Sequence, residues 1–436
     1  MARYELAGTS WSIERAGTTL TMTTCKVGAK GRTTTRRFAS PGAAEAQHDE
    51  LVRERLRAGY RLVELPAAVT GEPSTGAEAA ALEASIVADP ADPAAYAVYA
   101  DWLQRRGDPR GELIALQLAR EAELSGGAKG RSKLAVAIGK HVERHAAALL
   151  GGLAALVPDL RDVAAPPFVW RFGFIHRVVL DSHGGGDLGA IAREVLGHTS
   201  GRFVRELALR CDDIDEAHRV VDALGELAPP TLSELDLLVR DEPLDLGALW
   251  PAVASLDRLT VVARAFDLGA LCVPAVERAR LVTARLSGDS ARAVAAAPWP
   301  ALSRLELRFG GRREPSRARL EDLAPLFART DLPALTHVKL RGWEQAGEAL
   351  TVLAGTALAR QLVVLDLSHG HVEHSDLRTL AGDVTNFPAL RELWLPSEVM
   401  PEAQRLLAGI ATHLISDARG ALDTFTDDVA PRTVTR

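Results

Sequence analysis

Cysteine is scarce in this chain. Three residues, Cys25, Cys211 and Cys272, lie far apart in a sequence of 436. No two have metal-ligand spacing and no even-numbered framework exists, which excludes a disulfide scaffold and a zinc site and predicts reduced thiols. Long apolar runs are missing as well. The longest charge-free one, AAALLGGLAALVP from Ala146 to Pro158, is shorter than the ~20 residues needed to cross a bilayer. The opening stretch, MARYELAGTSWSIERAG, has no apolar h-region, so the expectation is an untargeted cytoplasmic protein with no membrane partner. Charge of one sign does not dominate either. With 51 Lys and Arg against 57 Asp and Glu the net charge is -6, too little to imply a polyanionic partner for the whole molecule. The first 66 residues differ, eleven cationic side chains against seven acids giving +4.

What is present divides along the chain. Short alternating runs broken by Gly17, Gly28 and Gly31 predict a small antiparallel meander, and SPGAAEAQHDELVRERLRAGY predicts a helix entered at Ser40-Pro41. An α+β domain is therefore expected over 1–65. The Pro- and Gly-rich stretch 66–80 has the composition of a linker. Helices resume, with Asp92-Pro93 as an N-terminal signal and Tyr96, Tyr99, Trp102 and Leu103 as one apolar stripe. They fill a helical domain over 81–124 and a helical cap over 131–172. From 173 to 415 the motif apolar-x-x-apolar-x-apolar recurs in nine copies, from Ile175/Val178/Leu180 to Leu390/Leu393/Leu395. The fifth reads Leu281/Ala284/Leu286 and the sixth Leu302/Leu305/Leu307. The last positions fall 21 to 33 residues apart. Helical runs such as DEAHRVVDALGEL, DLGALWPAVASL, EDLAPLFART and SDLRTLAGDV separate the strands. A unit of this kind cannot bury its leucines alone, whereas stacked units share one core and align their x residues on one concave face. Residues 416–436 complete the chain as a flexible tail.

These patterns resemble three known families. The repeats are similar to leucine-rich repeats, although Asp212, Arg240, Arg264, Asp289 and Gly310 replace the usual Asn or Cys after the strand. Residues 3–64 resemble a WGR domain through Trp11, Gly28, Gly31, Thr33, Phe38, Leu51 and Gly59-Tyr60. The naming Trp-Gly-Arg is here Thr24-Cys25-Lys26, so the aromatic that stacks on a DNA end in the related polymerases is replaced. The core around Tyr99, Trp102, Gly107, Arg110, Glu112 and Gln117 resembles the companion module that accompanies repeats in myxobacterial and planctomycete proteins. The expected fold is α/β, a leucine-rich-repeat solenoid preceded by a small α+β WGR-like domain and a helical companion domain.

Candidate chemistry reduces to surfaces. TTCKVGAKGRTTTRRF lacks the spacing of a phosphate-binding P-loop; its Lys26, Lys30, Arg32, Arg36 and Arg37 suit salt-dependent contact with phosphates. HGGGD at 183–187 lacks a matching Gly-x-Ser-x-Gly, since GHTSG at 197–201 places its Ser one residue late. His369, His371, Glu373, His374 and Asp376 crowd one turn but lack helical ligand spacing. Strand alternation should turn Arg304, Glu306 and Arg308 outward, beside His337, Lys339 and Arg341. Glu234 and Asp236 flank them on one side, Asp366, Glu392 and Trp394 on the other. The expectation is a non-enzymatic adaptor or regulator, without cofactor or metal, that binds another protein through Arg304, Arg308, His337, Lys339, Arg341, Asp366, Glu392 and Trp394. The alternative is a nucleic-acid-associated protein using the basic N-terminal module.

Overall fold

A computed structural model describes residues 2–6, 9–26, 32–58, 60–64, 76–127, 132–155, 167–184, 186–310, 316–382, 384–407 and 411–416. The chain is a mixed α/β protein with a large parallel sheet, and it divides into two units. One comprises residues 1–205 with 229–231, the other 206–228 with 232–436. Among the described residues no helix is long and apolar enough to cross a membrane. The stretch 65–75, most of the expected linker, and the tail 417–436 lie outside the described residues.

The first unit begins with a sheet of strands β1 (Ala2–Leu6), β2 (Thr9–Ala16), β3 (Thr19–Lys26), β4 (Arg32–Arg37) and, after helix α1 (Pro41–Arg57), β5 (Arg61–Glu64). All pairs are antiparallel, in the order β4-β3-β2-β1-β5. Alternation puts Trp11 and Ile13 on one face of β2, where they are buried together with Val52 of α1. The Arg55 guanidinium covers the Trp11 ring at 5.4 Å and Tyr60 at 5.2 Å.

Helices α2 (Ala77–Ala88), α3 (Pro93–Arg105), α4 (Pro109–Ser125), α5 (Lys133–Arg144) and α6 (Ala146–Leu150) follow. Asp92 caps α3 as expected, accepting from Ala94 N, and Asp108 caps α4 in the same way. Each is followed by proline at the first turn, where the missing N–H costs nothing. Gly111 lets α3 and α4 approach, since a β-carbon there would lie 2.6 Å from Ala100 O. The stripe Tyr96, Tyr99, Trp102 and Leu103 is buried, but much of its packing comes from a hairpin. Strands β6 (Phe168–Arg171) and β7 (Phe174–Asp181) pair antiparallel through a turn in which Phe172 and Gly173 have φ of 48° and 78°. Phe172 packs 4.8 Å from Tyr96, and Phe174 stacks on Tyr99 at 6.0 Å. Gln117 of α4 accepts from Gly173 N at 2.6 Å. The strand of the first copy, β7, lies within the first unit, where Phe174 and the turn residue Phe172 join the core of α3 and α4.

Helix α7 (Leu188–Gly197) starts on Asp187, which accepts from Ala190 N at 3.0 Å, so the Asp of HGGGD is a helix cap. His198 follows, and its Nδ1 accepts from Ser200 N at 3.1 Å. Ser200 Oγ in turn accepts from buried Arg110 and donates to Leu149 O. Burial first, then the Arg110 and Arg202 guanidiniums, push the His198 imidazole down to about 4.

In the second unit nine parallel strands share one sheet. Strand β8 (Glu206–Cys211) leads through α8 (Ile214–Leu227) to β9 (Glu234–Val239), then past the two-residue β10 (Leu244–Asp245) to β11 (Arg258–Ala263). Strand β12 (Phe266–Asp267) pairs with β10, and β13 (Arg278–Thr283) returns to the main sheet. Then come α9 (Gly288–Ala296), β14 (Arg304–Arg308), α10 (Leu320–Phe327), β15 (His337–Arg341), α11 (Ala346–Leu353), α12 (Ala357–Gln361) and β16 (Val364–Asp366). Helix α13 (His374–Ala381), β17 (Glu392–Leu395), α14 (Met400–Leu406) and β18 (His413–Ser416) close the series. The sheet order is β8-β9-β11-β13-β14-β15-β16-β17-β18, so each strand lies beside the next one in the chain.

The register is uniform. Leu207, Leu235, Leu259, Ala279, Leu305, Val338, Leu365 and Leu393 form one row and Leu209, Leu237, Val261, Leu281, Leu307, Leu340, with Leu367 and Leu395 following the same motif, the next. All are buried, and each fully buried leucine contributes ~1.5–3 kcal/mol. The fifth copy is corrected by this register. Its frame is Val276/Ala279/Leu281, five residues before the expected one. The expected frame followed the leucines, but alanine at 279 fills the inward row, and Leu286 sits beyond the strand where its N–H bonds Phe309 O. The helix expected at DLGALWPAVASL is also corrected. This short repeat carries β10 and a 3-10 turn over Trp250–Val253, with Trp250 Nε1 donating to Leu268 O at 2.6 Å. Trp250, Trp299 and Trp343 are core residues, Trp343 stacking on Phe309 at 4.4 Å. Strand β18 was not anticipated.

The His198 environment yields a pH dependence. A free histidine titrates near 6.5 and the folded one near 4, so unfolding takes up a proton between those values. The stabilising contribution is complete above 6.5 and is lost as the pH falls toward 4, with a slope of at most ~1.4 kcal/mol per pH unit. His198→Asn keeps an acceptor for Ser200 N and removes the titration. Glu194 on the same helix, its carboxyl raised by burial, titrates in both chains, so hydrogen-exchange protection of α7 should fall more steeply between pH 6.5 and 5 in the wild type than in the variant, a prediction that equal slopes would refute.

Candidate functional site

The uniform register that buries the leucines puts the intervening residues on the other face. The first of these rows reads Glu206, Glu234, Arg258, Arg278, Arg304, His337, Val364, Glu392 and His413. The second reads Ala208, Asp236, Thr260, Arg280, Glu306, Lys339, Asp366, Trp394 and Ile415. Between β11 and β17 the two rows line a groove of about 420 Å³. Its polar walls are Arg258, Arg278, Arg280, Arg304, Glu306, His337, Lys339 and Glu392, with Thr260, Val364 and Trp394 beside them.

The charges fall into two groups. Arg258 reaches Glu234 at 2.9 Å. Arg280 and Arg341 both approach Glu306, at 3.3 and 3.8 Å, and Arg341 lies 3.8 Å from Asp366. Arg278, Arg304 and Lys339, by contrast, make no ion pair with a described residue, and the first two are exposed. His337 sits next to them on the register, its Nδ1 2.8 Å from Thr336 Oγ1. Burial first, then Arg304, hold its imidazole below the ordinary value; Lys339 adds to the depression and Glu392 opposes it. At the far end Trp394 Nε1 donates to Glu392 Oε2 at 3.4 Å.

Of the residues expected on this face, the structure brings together Arg304, His337, Lys339, Glu392 and Trp394. Two are corrected. Arg308 is 5% exposed and Asp366 4%. Arg308 shares its row with Val282 and Val262, both buried. Asp366 is enclosed by its bond from Ser368 N and by Arg341. Arg341, partly buried, bridges the two acids and takes no part in the groove wall. Arg258, Arg278 and Arg280 were missed. The first was legible beside Leu259 and Val261, and the other two follow once Ala279 and Leu281 are taken as the inward pair of β13.

The other candidates separate. Arg32, Arg36 and Arg37 are exposed on β4, the edge strand, but alternation sends Arg37 to the face opposite Arg32 and Arg36. Lys26 ends β3, and Lys30 lies outside the described residues. Thr24 is the register partner of buried Trp11. In the histidine-rich turn, Glu373 and Asp376 are committed to the start of α13, Asp376 accepting from Glu373 N at 2.8 Å, and among the described residues no group of three or more ligands could hold a metal.

No family model matches the chain, and no curated protein matches it. Among solved structures, it is similar to a structural-genomics target from Bacteroides fragilis, with 14% identity over 97% of this chain and 98% of that one, at a TM-score of 0.44. That score is too low for the likeness to bear on fold or function.

The groove's electrostatics predict a histidine titration. Arg304→Gln removes a cation facing His337 and should raise its pKa, whereas Glu392→Gln should lower it further. Histidine-selective NMR titration reads both shifts. Unchanged values in the two variants would show that these side chains do not face the imidazole.

Proposed function

We propose that the second unit is a leucine-rich-repeat solenoid whose open polar face binds a protein partner, and that the chain is a non-catalytic cytoplasmic adaptor or regulator. In this reading the N-terminal sheet is a degenerate WGR-like module and the helices around Trp102 are the repeat companion. Support for the repeat reading is the recurrence of buried leucine pairs in one register over consecutive parallel strands. The single observation that carries the binding reading is the row of Arg278 and Arg304 beside Lys339. These cations line a groove yet have no described acidic partner, while their neighbours Arg258 and Arg280 are paired. Charges left uncompensated in a concavity steer and orient an oppositely charged partner. Glu234, Asp236, Glu306 and Glu392 interrupt the cationic area, which suits a protein of mixed charge better than a uniform polyanion such as nucleic acid.

Arg278→Glu, Arg304→Glu and Lys339→Glu combined should preserve the fold, because surface changes away from special features cost within about 0.5 kcal/mol each. Affinity purification of the tagged wild type from its native host, with nuclease, should recover a protein that the triple variant loses. Equal recovery by the circular-dichroism-normal variant would place the binding surface elsewhere, and recovery that disappears with nuclease would favour the nucleic-acid alternative.

A further inference from the structure

The groove is chemically divided along the repeat direction. On β13, β14 and β15 it presents Arg278, Arg304, His337 and Lys339. On β16 and β17 it presents Val364, 7% exposed, and the half-buried ring of Trp394. Arg278 and Arg304 are direct register partners on neighbouring strands, so the two side chains leave adjacent backbone positions on one face. Such a pair takes carboxylates through charge-assisted, forked hydrogen bonds. The other end cannot do this. Glu392 repels an anion there, and it fixes the Trp394 indole by accepting its N–H, leaving the ring and Val364 as an apolar surface.

The spacing between these halves sets what fits. Neighbouring strands lie ~4.8 Å apart, so the three steps from β14 to β17 cover about 14 Å. An extended chain advances ~3.3–3.4 Å per residue and crosses that distance in about four residues. Resting on the reading that this face binds protein, we propose that its occupant is an extended acidic peptide segment lying across the strands. Asp or Glu residues at alternate positions, which share one face of an extended chain, engage Arg278 and Arg304, and an apolar or aromatic side chain about four residues away packs on Trp394, with buried Val364 beneath. Lys339, between the two ends, adds attraction for the acidic half. A uniformly anionic strand would meet Glu306 and Glu392 in the same groove and is disfavoured.

Selection of a displayed random dodecapeptide library on the full chain tests this, with parallel selections on Arg278→Glu/Arg304→Glu and Trp394→Ala chains. The neutral Arg278→Gln/Arg304→Gln pair replaces the charge reversal if circular dichroism shows misfolding. The expected result is enrichment of sequences with acids at alternate positions, the nearer about four residues from Leu, Phe or Trp. A synthetic peptide of that pattern should bind the arginine variant about tenfold or more weakly and the Trp394→Ala chain several-fold more weakly. Enriched sequences that depend on the arginines but lack this spacing, or that are basic, would overturn the acidic-segment assignment and leave the binding face standing. If no enriched sequence depends on the arginines or Trp394, or if a duplex DNA oligonucleotide binds in their place, the binding reading itself falls.

Discussion

The burial of paired apolar side chains along a uniform parallel register is the constraint on which the second unit depends. Two inward rows, anchored by residues such as Leu305 with Leu307 and Leu235 with Leu237, fix the alternation of each strand. Because side chains alternate with period two, a slip of one residue would drive arginines and glutamates into the core. The same constraint therefore decides which polar side chains meet on the opposite face. Arg278, Arg304 and His337 are 26 and 33 residues apart in the chain, and they are neighbours only because Ala279, Leu305 and Val338 share a row.

Electrostatics then sorts the polar residues by partner. Arg341 lies near two acids, Glu306 and Asp366. Such pairs compensate charge within the scaffold, and exposed examples contribute little to stability, typically ~0–1 kcal/mol. What remains uncompensated has more to say about binding. Arg278, Arg304 and Lys339 crowd cations near a half-buried histidine, an arrangement that gains nothing for the free protein and is relieved by an anion. At the opposite end the Trp394–Glu392 contact presents an aromatic surface. The face is thus polarised along the repeat direction.

Much of this was legible in the sequence because its signals are local and periodic. Asp92-Pro93 marked a helix start, the alternation around Trp11 marked a sheet, and most strands followed from their leucines. Failures arose where a local signal was weak or the deciding contact distant. Ala279 supplies an inward position without a leucine, so the frame of β13, and with it Arg278 and Arg280, was lost. The short interval around Trp250 closes through a 3-10 turn and β10, although its composition suits a helix. The stacking of Phe174 on Tyr99, 75 residues earlier, is likewise carried by no local pattern. Arg308 and Asp366 obey alternation, yet both are buried, which no periodicity encodes.

The shared register exposes Arg278 and Arg304 on the groove, while Arg280, Arg308 and Arg341 are held in pairs or buried. Arginine-selective labelling of the native chain with phenylglyoxal, resolved peptide by peptide by mass spectrometry, measures that partition directly. Fast modification is expected at Arg278 and Arg304, slow modification at Arg280 and Arg341, and the slowest at Arg308, whose exposure is 5%. Arg278 reacting as slowly as Arg308, or Arg280 reacting as fast as Arg304, would contradict the register and with it the groove.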